Sequence, residues 1–285
     1  MGTSVAPPEG FVLDAAPPEG FVLDGPSPAA ATPREPRSNP ARDISLGFKG
    51  VVSGVRDYGN RIGLFRLMDV MDRYSIRGTV ALNSEVCIHH PFIIEQCMAR
   101  DWELMGHNET NTRRLNEVPP EEERKIIRNA YATIERTAGK RPRGWLSSGL
   151  QETWQSVDIL AQEGCQYVCD WTNDDQPYVM ELDAGRSLLS VPYSYDINDK
   201  PVFETKNRMP ADFTEMICRQ FDVLYKEGAQ SGRVMAIALH PYIIGMPYRI
   251  GALDKALAYI KGHDGVCFAT GEEIVRAYLA SKASI

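Results

Sequence analysis

Apolar positions along the chain switch repeatedly between helical and extended spacing from about residue 60 onward. The segment 63–74 carries its leucines and methionines on one helical face, and a short β-rich run at 77–83 follows it. The same alternation predicts strands at 102–106, 143–147, 165–171, 187–192, 234–239 and 266–269, and helices at 91–100, 119–139, 156–164, 210–228, 250–261 and from 271 onward. Because parallel strands need crossover connections, this order predicts an α/β protein with a parallel sheet, open or closed into a barrel.

Polar residues stand directly after several of the predicted strands. In parallel α/β architectures ligands bind at the carboxyl ends of the strands, so these residues form the candidate active site. They are Asn83, His107, Ser147, Ser148, the acidic segment 170–175 and His240.

Two histidines in that set occupy matching positions. His107 follows the apolar run 102–106, and His240 follows the run 234–239 just before a proline that ends the strand. One such histidine alone is more often a hydrogen-bonded loop residue. Two at matching strand ends favour catalysis, since neutral imidazoles transfer protons near neutral pH. We expect His107 and His240 to face each other across the site.

Asp174 and Asp175 are adjacent acids in the aromatic-flanked segment 171–178. Neighbouring carboxylates repel, so the pKa of one could be raised, or one could orient a histidine. A turn rich in Asn and Asp explains the segment equally well. The Ser147 and Ser148 loop could offer backbone amides to a substrate, although an ordinary strand-to-helix turn also accounts for it.

Composition narrows the classes of function. A formal net charge of −7 and a pI near 5.4 argue against a nucleic-acid or anionic-membrane partner, which would need a basic surface. No apolar run approaches the roughly 20 residues that span a bilayer. The six scattered cysteines predict reduced core residues in a cytoplasmic protein. The absence of a glycine-rich phosphate loop and of a GxSxG motif argues against nucleotide enzymes and α/β-hydrolases.

The first 43 residues differ from the rest of the chain. They are rich in Pro, Ala and Ser and contain the tandem repeat APPEGFVLDA and APPEGFVLDG. Two copies are too few for a solenoid, in which stacked repeats bury a common core. We therefore predict a low-complexity segment at 1–43 and one catalytic domain at 44–285.

The order of a histidine loop, an Asp-rich motif and a late Leu-His-Pro resembles the polysaccharide deacetylases, the NodB-homology or carbohydrate-esterase-type superfamily. Segments that are similar to its allantoinase-analogue and cyclic-imide hydrolase branch are DYGNRIGLFRLMDVMDRY, GKRPRGW, DWTNDDQPY, PYSYDIND, FDVLYKEG and LHPYIIGMPYR, spread over residues 56–278. The resemblance implies a distorted parallel (β/α) barrel. It also implies a homo-oligomeric enzyme that hydrolyses non-peptide carbon–nitrogen bonds in an amide, a cyclic amide or an N-acetyl sugar.

This chain departs from the family's zinc site. Standard members bind zinc through an aspartate and an H-x-x-x-H pair; here His107 matches the first histidine, but Asn111 stands at the second. In the family, a pair of aspartates follows the first strand of the barrel; here its only counterparts, both weak, are Asp14 and Asp24 of the repeat. The first strand is therefore missing or atypical, and the barrel is expected to be open or completed by another chain. An amide is a poor zinc ligand, which favours the metal-independent branch without a cofactor. Zinc or another divalent metal is the alternative.

The leading hypothesis from residues and resemblance together is amide hydrolysis by a histidine pair. His107 and an acid from Asp174 or Asp175 position water, and His240 protonates the leaving nitrogen. The predicted substrate contacts are Glu109, Asn111, Trp145 and Tyr178. One alternative is a zinc-dependent sugar N-deacetylase with ligands from the N-terminal segment, and another is a catalytically inactive barrel that only binds.

Overall fold

The computed structural model describes residues 54–283. The tandem repeat, with Asp14 and Asp24, lies outside the described residues. A six-stranded sheet runs in the order β1-β2-β3-β4-β6-β5, with parallel neighbours except for the antiparallel pair β5 and β6. Its strands are β1 (Thr79–Leu82), β2 (Glu103–Gly106), β3 (Gly144–Trp145), β4 (Tyr167–Val168), β5 (Tyr178–Glu181) and β6 (Ser187–Ser190). The predicted α/β class with a mostly parallel sheet is confirmed.

Helices occupy the connections between the strands and the C-terminal third. They are α1 (Leu64–Arg73), α2 (Ser84–His89), α3 (Pro91–Met98), α4 (Pro120–Ala138), α5 (Ser156–Gln162), α6 (Pro210–Gly228), α7 (Pro241–Ile244), α8 (Ile250–Lys261) and α9 (Gly271–Ala283). Between residues 54 and 283, no helix is both long and apolar enough to cross a membrane.

Helix α4 shows why the sequence encodes these elements. Proline occupies its first turn with three glutamates, because proline lacks an amide that would be orphaned there and acids favour the positive end of the helix. The helix ends at Gly139, whose φ of 70° an L side chain adopts only with strain. Its apolar face packs against Trp145 and Val168 of the sheet, in a core that includes Ile127 and Tyr131. This packing fixes the ends of β3 and β4, next to the candidate active site.

The predicted strand at 234–239 is wrong as a regular strand. Only Ala238 forms a bridge, with Asn198. The amides of Val234 and Ala236 instead donate to the Asp175 carbonyl oxygen and the Ser194 hydroxyl. The reason is that the neighbouring segment folds into a 3₁₀ turn at Tyr195–Ile197, which offers no continuous row of carbonyl groups for a ladder.

Two further predictions differ from the structure. Residues 266–269 form no strand, because their alternation reflects packing of Val266 and Phe268 against the core, while Cys267 is exposed rather than buried. Strand β5 was not predicted. It is a half-exposed edge strand, so its sequence lacks the continuous apolar run of the buried strands.

A close backbone approach positions the segment after His240. The π-helical turn Gly59–Gly63 packs against α7. A Cβ atom added at Gly63 would lie 2.2 Å from the Pro241 carbonyl oxygen, and one added at Gly245 would lie 2.3 Å from the same atom. Both distances are far below contact, so this junction requires glycine on each side.

Replacing Gly63 with Ala is expected to destabilise the protein by about 1–3 kcal/mol, because overpacking forces the backbone apart at Pro241. Gly251→Ala is the matched control, since Gly251 is helical and has no atom within 4 Å of an added Cβ. The free energy of unfolding of this control should be unchanged or higher by about 0.5–1 kcal/mol. Chemical denaturation followed by circular dichroism measures both; equal effects of the two substitutions would contradict the close approach.

Candidate active site

His107 follows β2 directly and is held by the end of β3. Its Nδ1 lies 2.5 Å from the Leu146 carbonyl oxygen, which can only accept, so Nδ1 carries the proton and Nε2 is the basic atom. Burial lowers the pKa of His107 to about 4, and the charge of His240 acts in the same direction, while the bond to Leu146 opposes them. The residue as a whole is half-buried. The imidazole is therefore neutral at pH 7.

His240 is paired with a buried carboxylate. Its Nδ1 lies 2.7 Å from Oδ1 of Asp199, and its backbone N–H donates to Oδ2 of the same residue at 2.8 Å. Asp199 is fully buried, whereas the His240 side chain remains 33% exposed. Burial raises the pKa of Asp199, although the hydrogen bonds from His240 act to lower it. Both lone-pair regions of the carboxylate thus orient one histidine, whose Nε2 is left for a substrate.

The two histidines lie close enough to influence each other electrostatically. The charge of His240 is near enough to lower the pKa of His107. Each ring has its Nδ1 engaged by an oxygen acceptor, Leu146 for one and Asp199 for the other. His107 also has a hydrogen bond with the side chain of Asn111. The two imidazoles can therefore act on the same substrate beside Asn111.

Asn111 joins the ends of β1, β2 and β3. Its Oδ1 accepts hydrogen bonds from Ser148 Oγ at 2.7 Å and from Asn83 Nδ2 at 3.2 Å. Asn83 also donates to the backbone carbonyl of His107. Because the oxygen of Asn111 is engaged, its amide nitrogen is the group that can donate to a ligand.

The residues present do not fit the zinc site of the standard deacetylases. Within residues 54–283, no group of three or more His, Cys, Asp or Glu side chains is arranged to hold a metal ion. At the position of the expected second histidine, the oxygen of Asn111 already accepts two hydrogen bonds. His107 is therefore left without the imidazole partner that the zinc motif requires.

A second buried carboxyl lies behind the loop that follows β3. Asp170 is 9% exposed, and its Oδ1 accepts the backbone N–H of Ser147 at 2.6 Å, while Oδ2 is buried without a partner. Burial raises the pKa of Asp170 to about 8, and the charge of Glu152 adds to the rise. Burial likewise raises the pKa of Glu152 to about 7, and one of its oxygens also lacks a partner.

Asp174 and Asp175 do not meet the histidines. Both are exposed on the loop after β4. Oδ1 of Asp174 accepts the backbone N–H of Gln176 at 2.9 Å, as in an Asx turn. The buried acids near the histidines are Asp199, which the sequence left outside the candidate set, and Asp170, which lay in the candidate segment 170–175 but was not assigned a catalytic role. Asp170 was visible as the first polar residue after its strand, whereas Asp199 follows a 3₁₀ turn and had no strand pattern before it.

Three of the four predicted substrate contacts have other partners. Trp145 is wholly buried and its Nε1 donates to Ser147 Oγ at 3.0 Å, so the prediction that it touches substrate is wrong. Glu109 accepts a hydrogen bond from Asn129 of α4 at 3.1 Å. The Tyr178 hydroxyl pairs with Asn173. Of the four, Asn111 alone is in the histidine cluster.

No family model matches the chain. A protein of Schizosaccharomyces pombe named "Putative polysaccharide deacetylase" is 26% identical over 242 residues, which cover 79% of this chain and 75% of that protein.

Solved structures that resemble this chain also include polysaccharide deacetylases. The PuuE allantoinase superimposes with a TM-score of 0.77 at 28% identity, covering 81% of this chain and 76% of that one. The "probable Polysaccharide deacetylase from Pseudomonas aeruginosa PAO1" has a TM-score of 0.77 at 27% identity, covering 81% and 77%. By sequence and by fold the chain is thus similar to polysaccharide deacetylases and to an allantoinase, and this similarity supports a hydrolase of non-peptide carbon–nitrogen bonds with a mixed α/β fold like theirs.

Proposed function

We propose that this enzyme hydrolyses a linear or cyclic amide without a metal ion, using His107 as general base and His240 as general acid. The observation that carries the proposal is the shared arrangement of the two rings. Each has its Nδ1 bound to an oxygen of the protein, so each ring is oriented for proton transfer through Nε2, which in His107 lies beside Asn111.

His107 suits the first half of the reaction. Nε2 accepts a proton from water while the water oxygen attacks the amide carbon, and Nδ1–H stays bound to Leu146. Its lowered pKa keeps the ring neutral, and so able to accept a proton, at any pH well above about 4. Asn111 can donate from its amide nitrogen to the oxygen that gains charge in the tetrahedral intermediate.

His240 suits the second half. Asp199 stabilises the imidazolium form through Nδ1–H, so Nε2–H can deliver its proton to the leaving nitrogen as the carbon–nitrogen bond breaks. The products are a carboxylic acid and an amine or, from a ring, both groups on one molecule. The proton balance closes when His107 returns its proton to solvent and His240 regains one.

Small amides are the substrate class that we propose. The polar atoms offered by the described site are few, namely two imidazole nitrogens and the amide of Asn111, which match one planar amide or ureide group. The similarity to the PuuE allantoinase supports a cyclic ureide or imide, and the similarity to polysaccharide deacetylases supports an N-acetyl sugar. A panel of allantoin, hydantoins, cyclic imides and N-acetyl sugars separates these possibilities.

Asp199→Asn and His240→Ala are each expected to lower kcat about a hundredfold or more on the substrate that the panel identifies, since each removes acid catalysis. Asn keeps the shape of Asp199 but cannot stabilise the imidazolium. His89→Ala is the control, because His89 is exposed on α2. Steady-state kinetics measures all three. Near-normal turnover of His240→Ala would refute the acid assignment.

Metal independence has its own test. Protein dialysed exhaustively against a chelator should keep its full activity while elemental analysis finds well below one metal ion per chain. Loss of activity that added zinc restores would contradict this proposal and favour the zinc-dependent alternative.

A further inference from the structure

One peptide group connects His107 to the buried carboxyl of Asp170. The carbonyl of Leu146 accepts the Nδ1–H of His107 at 2.5 Å. The N–H of Ser147, on the other end of the same peptide group, donates to Oδ1 of Asp170 at 2.6 Å. The imidazole and the carboxyl therefore polarise opposite ends of a single amide.

We propose that Asp170 is a positioning residue that sets the basicity of His107 through the Leu146–Ser147 peptide group. The inference rests on the proposed function, because the base role of His107 belongs to it. A negative charge on Asp170 draws the Ser147 N–H and increases the electron density on the Leu146 oxygen. Hydrogen bonds in a chain strengthen one another, so Nδ1–H is held more tightly and Nε2 becomes a stronger base.

The basicity of His107 is low for a general base. General bases work best when their pKa lies near the working pH. Burial lowers the pKa of His107 to about 4, which leaves the ring neutral but weakly basic. A partner that ionises out of contact with the substrate strengthens the base and leaves the space around Nε2 free for water.

The connecting peptide is rigidly placed. Ser147 is fully buried, and its hydroxyl accepts a hydrogen bond from Trp145 Nε1 at 3.0 Å. Trp145 is itself fully buried and packs edge-on against Tyr131 at a ring distance of 5.4 Å. The amide cannot turn away from either partner without opening this core.

Four titratable groups from the surrounding elements interact electrostatically with Asp170. They are Glu152, Tyr131 of α4, and Cys165 and Cys169 beside β4. Burial raises the pKa of the tyrosine and of both thiols, so these three stay neutral through the range in which the acids ionise. Of the four, Glu152 is the group whose charge changes in the same range as that of Asp170.

The direction of the pH effect follows from these shifts. The pKa of Glu152 is about 7 and that of Asp170 about 8. Below pH 7 both carboxyls hold protons, and Asp170 becomes a carboxylate as the pH rises through about 8. His107 therefore gains basicity on the alkaline side of neutrality. The charge of Glu152 raises the pKa of Asp170. Removing that charge therefore moves the increase in His107 basicity to lower pH.

The kinetic test compares wild type, Asp170→Asn and Glu152→Gln between pH 5 and 10 on the substrate found by the panel. Wild-type kcat/KM should rise with a midpoint near pH 8, the pKa of Asp170. Asp170→Asn should lack that rise and have a kcat at pH 9 lower by about tenfold with little change in KM. Glu152→Gln should shift the rise downward by about one pH unit. An unchanged rise in Asp170→Asn would overturn the proposal.

A spectroscopic test separates this inference from the proposed function, since it needs no substrate. The Nδ1 resonance of His107, followed by nitrogen-15 NMR, should change with a midpoint near pH 8 in the wild type and not in Asp170→Asn. If this holds while the panel shows no turnover, the proposed function fails and the coupling stands. If the variant keeps the change, the coupling fails whatever the activity.

Stability distinguishes coupling from a merely structural role. The pKa of Asp170 is raised from 3.8 in the unfolded chain to about 8, so its contribution to stability is largest below pH 4 and is lost as the pH rises toward 8. Asp170→Asn should therefore be more stable than wild type at pH 9 in thermal unfolding. The exposed Asp183→Asn serves as control and should match the wild type. A loss of stability in Asp170→Asn at every pH would indicate a structural residue instead.

Discussion

The site depends on one constraint, which is that its acids are buried. A carboxylate removed from water must be hydrogen-bonded or protonated, because an isolated buried charge is costly. Asp199 meets this constraint by accepting two N–H groups of His240. Asp170 meets it only in part, with one backbone N–H on Oδ1 and no partner on Oδ2, so its pKa rises to about 8. The two acids consequently have different uses, one fixing a ring and the other changing charge near neutral pH.

The fold supplies this burial through its helices and irregular turns. Helix α4 covers β3 and β4, so that Trp145 and the Ser147 amide are enclosed. The 3₁₀ turn at Tyr195–Ile197 replaces a strand neighbour, so the backbone amides of Ala236 and His240 donate to the side-chain oxygens of Ser194 and Asp199 in place of a ladder. The irregularity that interrupts the sheet is thus what brings the acid to the histidine.

Much of the fold could be predicted because its periodicity is strong. Helices α6 and α8 have the predicted bounds, and His107 and His240 were found from their positions after apolar runs. The acids could not be identified in this way. Asp174 and Asp199 both lie in acidic segments, and periodicity does not reveal which carboxylate turns inward. The prediction that Trp145 contacts substrate was wrong for a related reason. Its strand has two residues, which is too little alternation to show that the indole faces the core.

If water attacks an amide carbon between the two histidines, an oxygen atom from the solvent enters the new carboxylate, and oxygen-18 incorporation measures this step. Metal-depleted enzyme would turn over the active member of the substrate panel in oxygen-18 water, with products analysed by mass spectrometry. One labelled oxygen is expected in the new carboxylate for each carbon–nitrogen bond broken. Turnover without label in the carboxylate, or a requirement for added metal before any label appears, would contradict it.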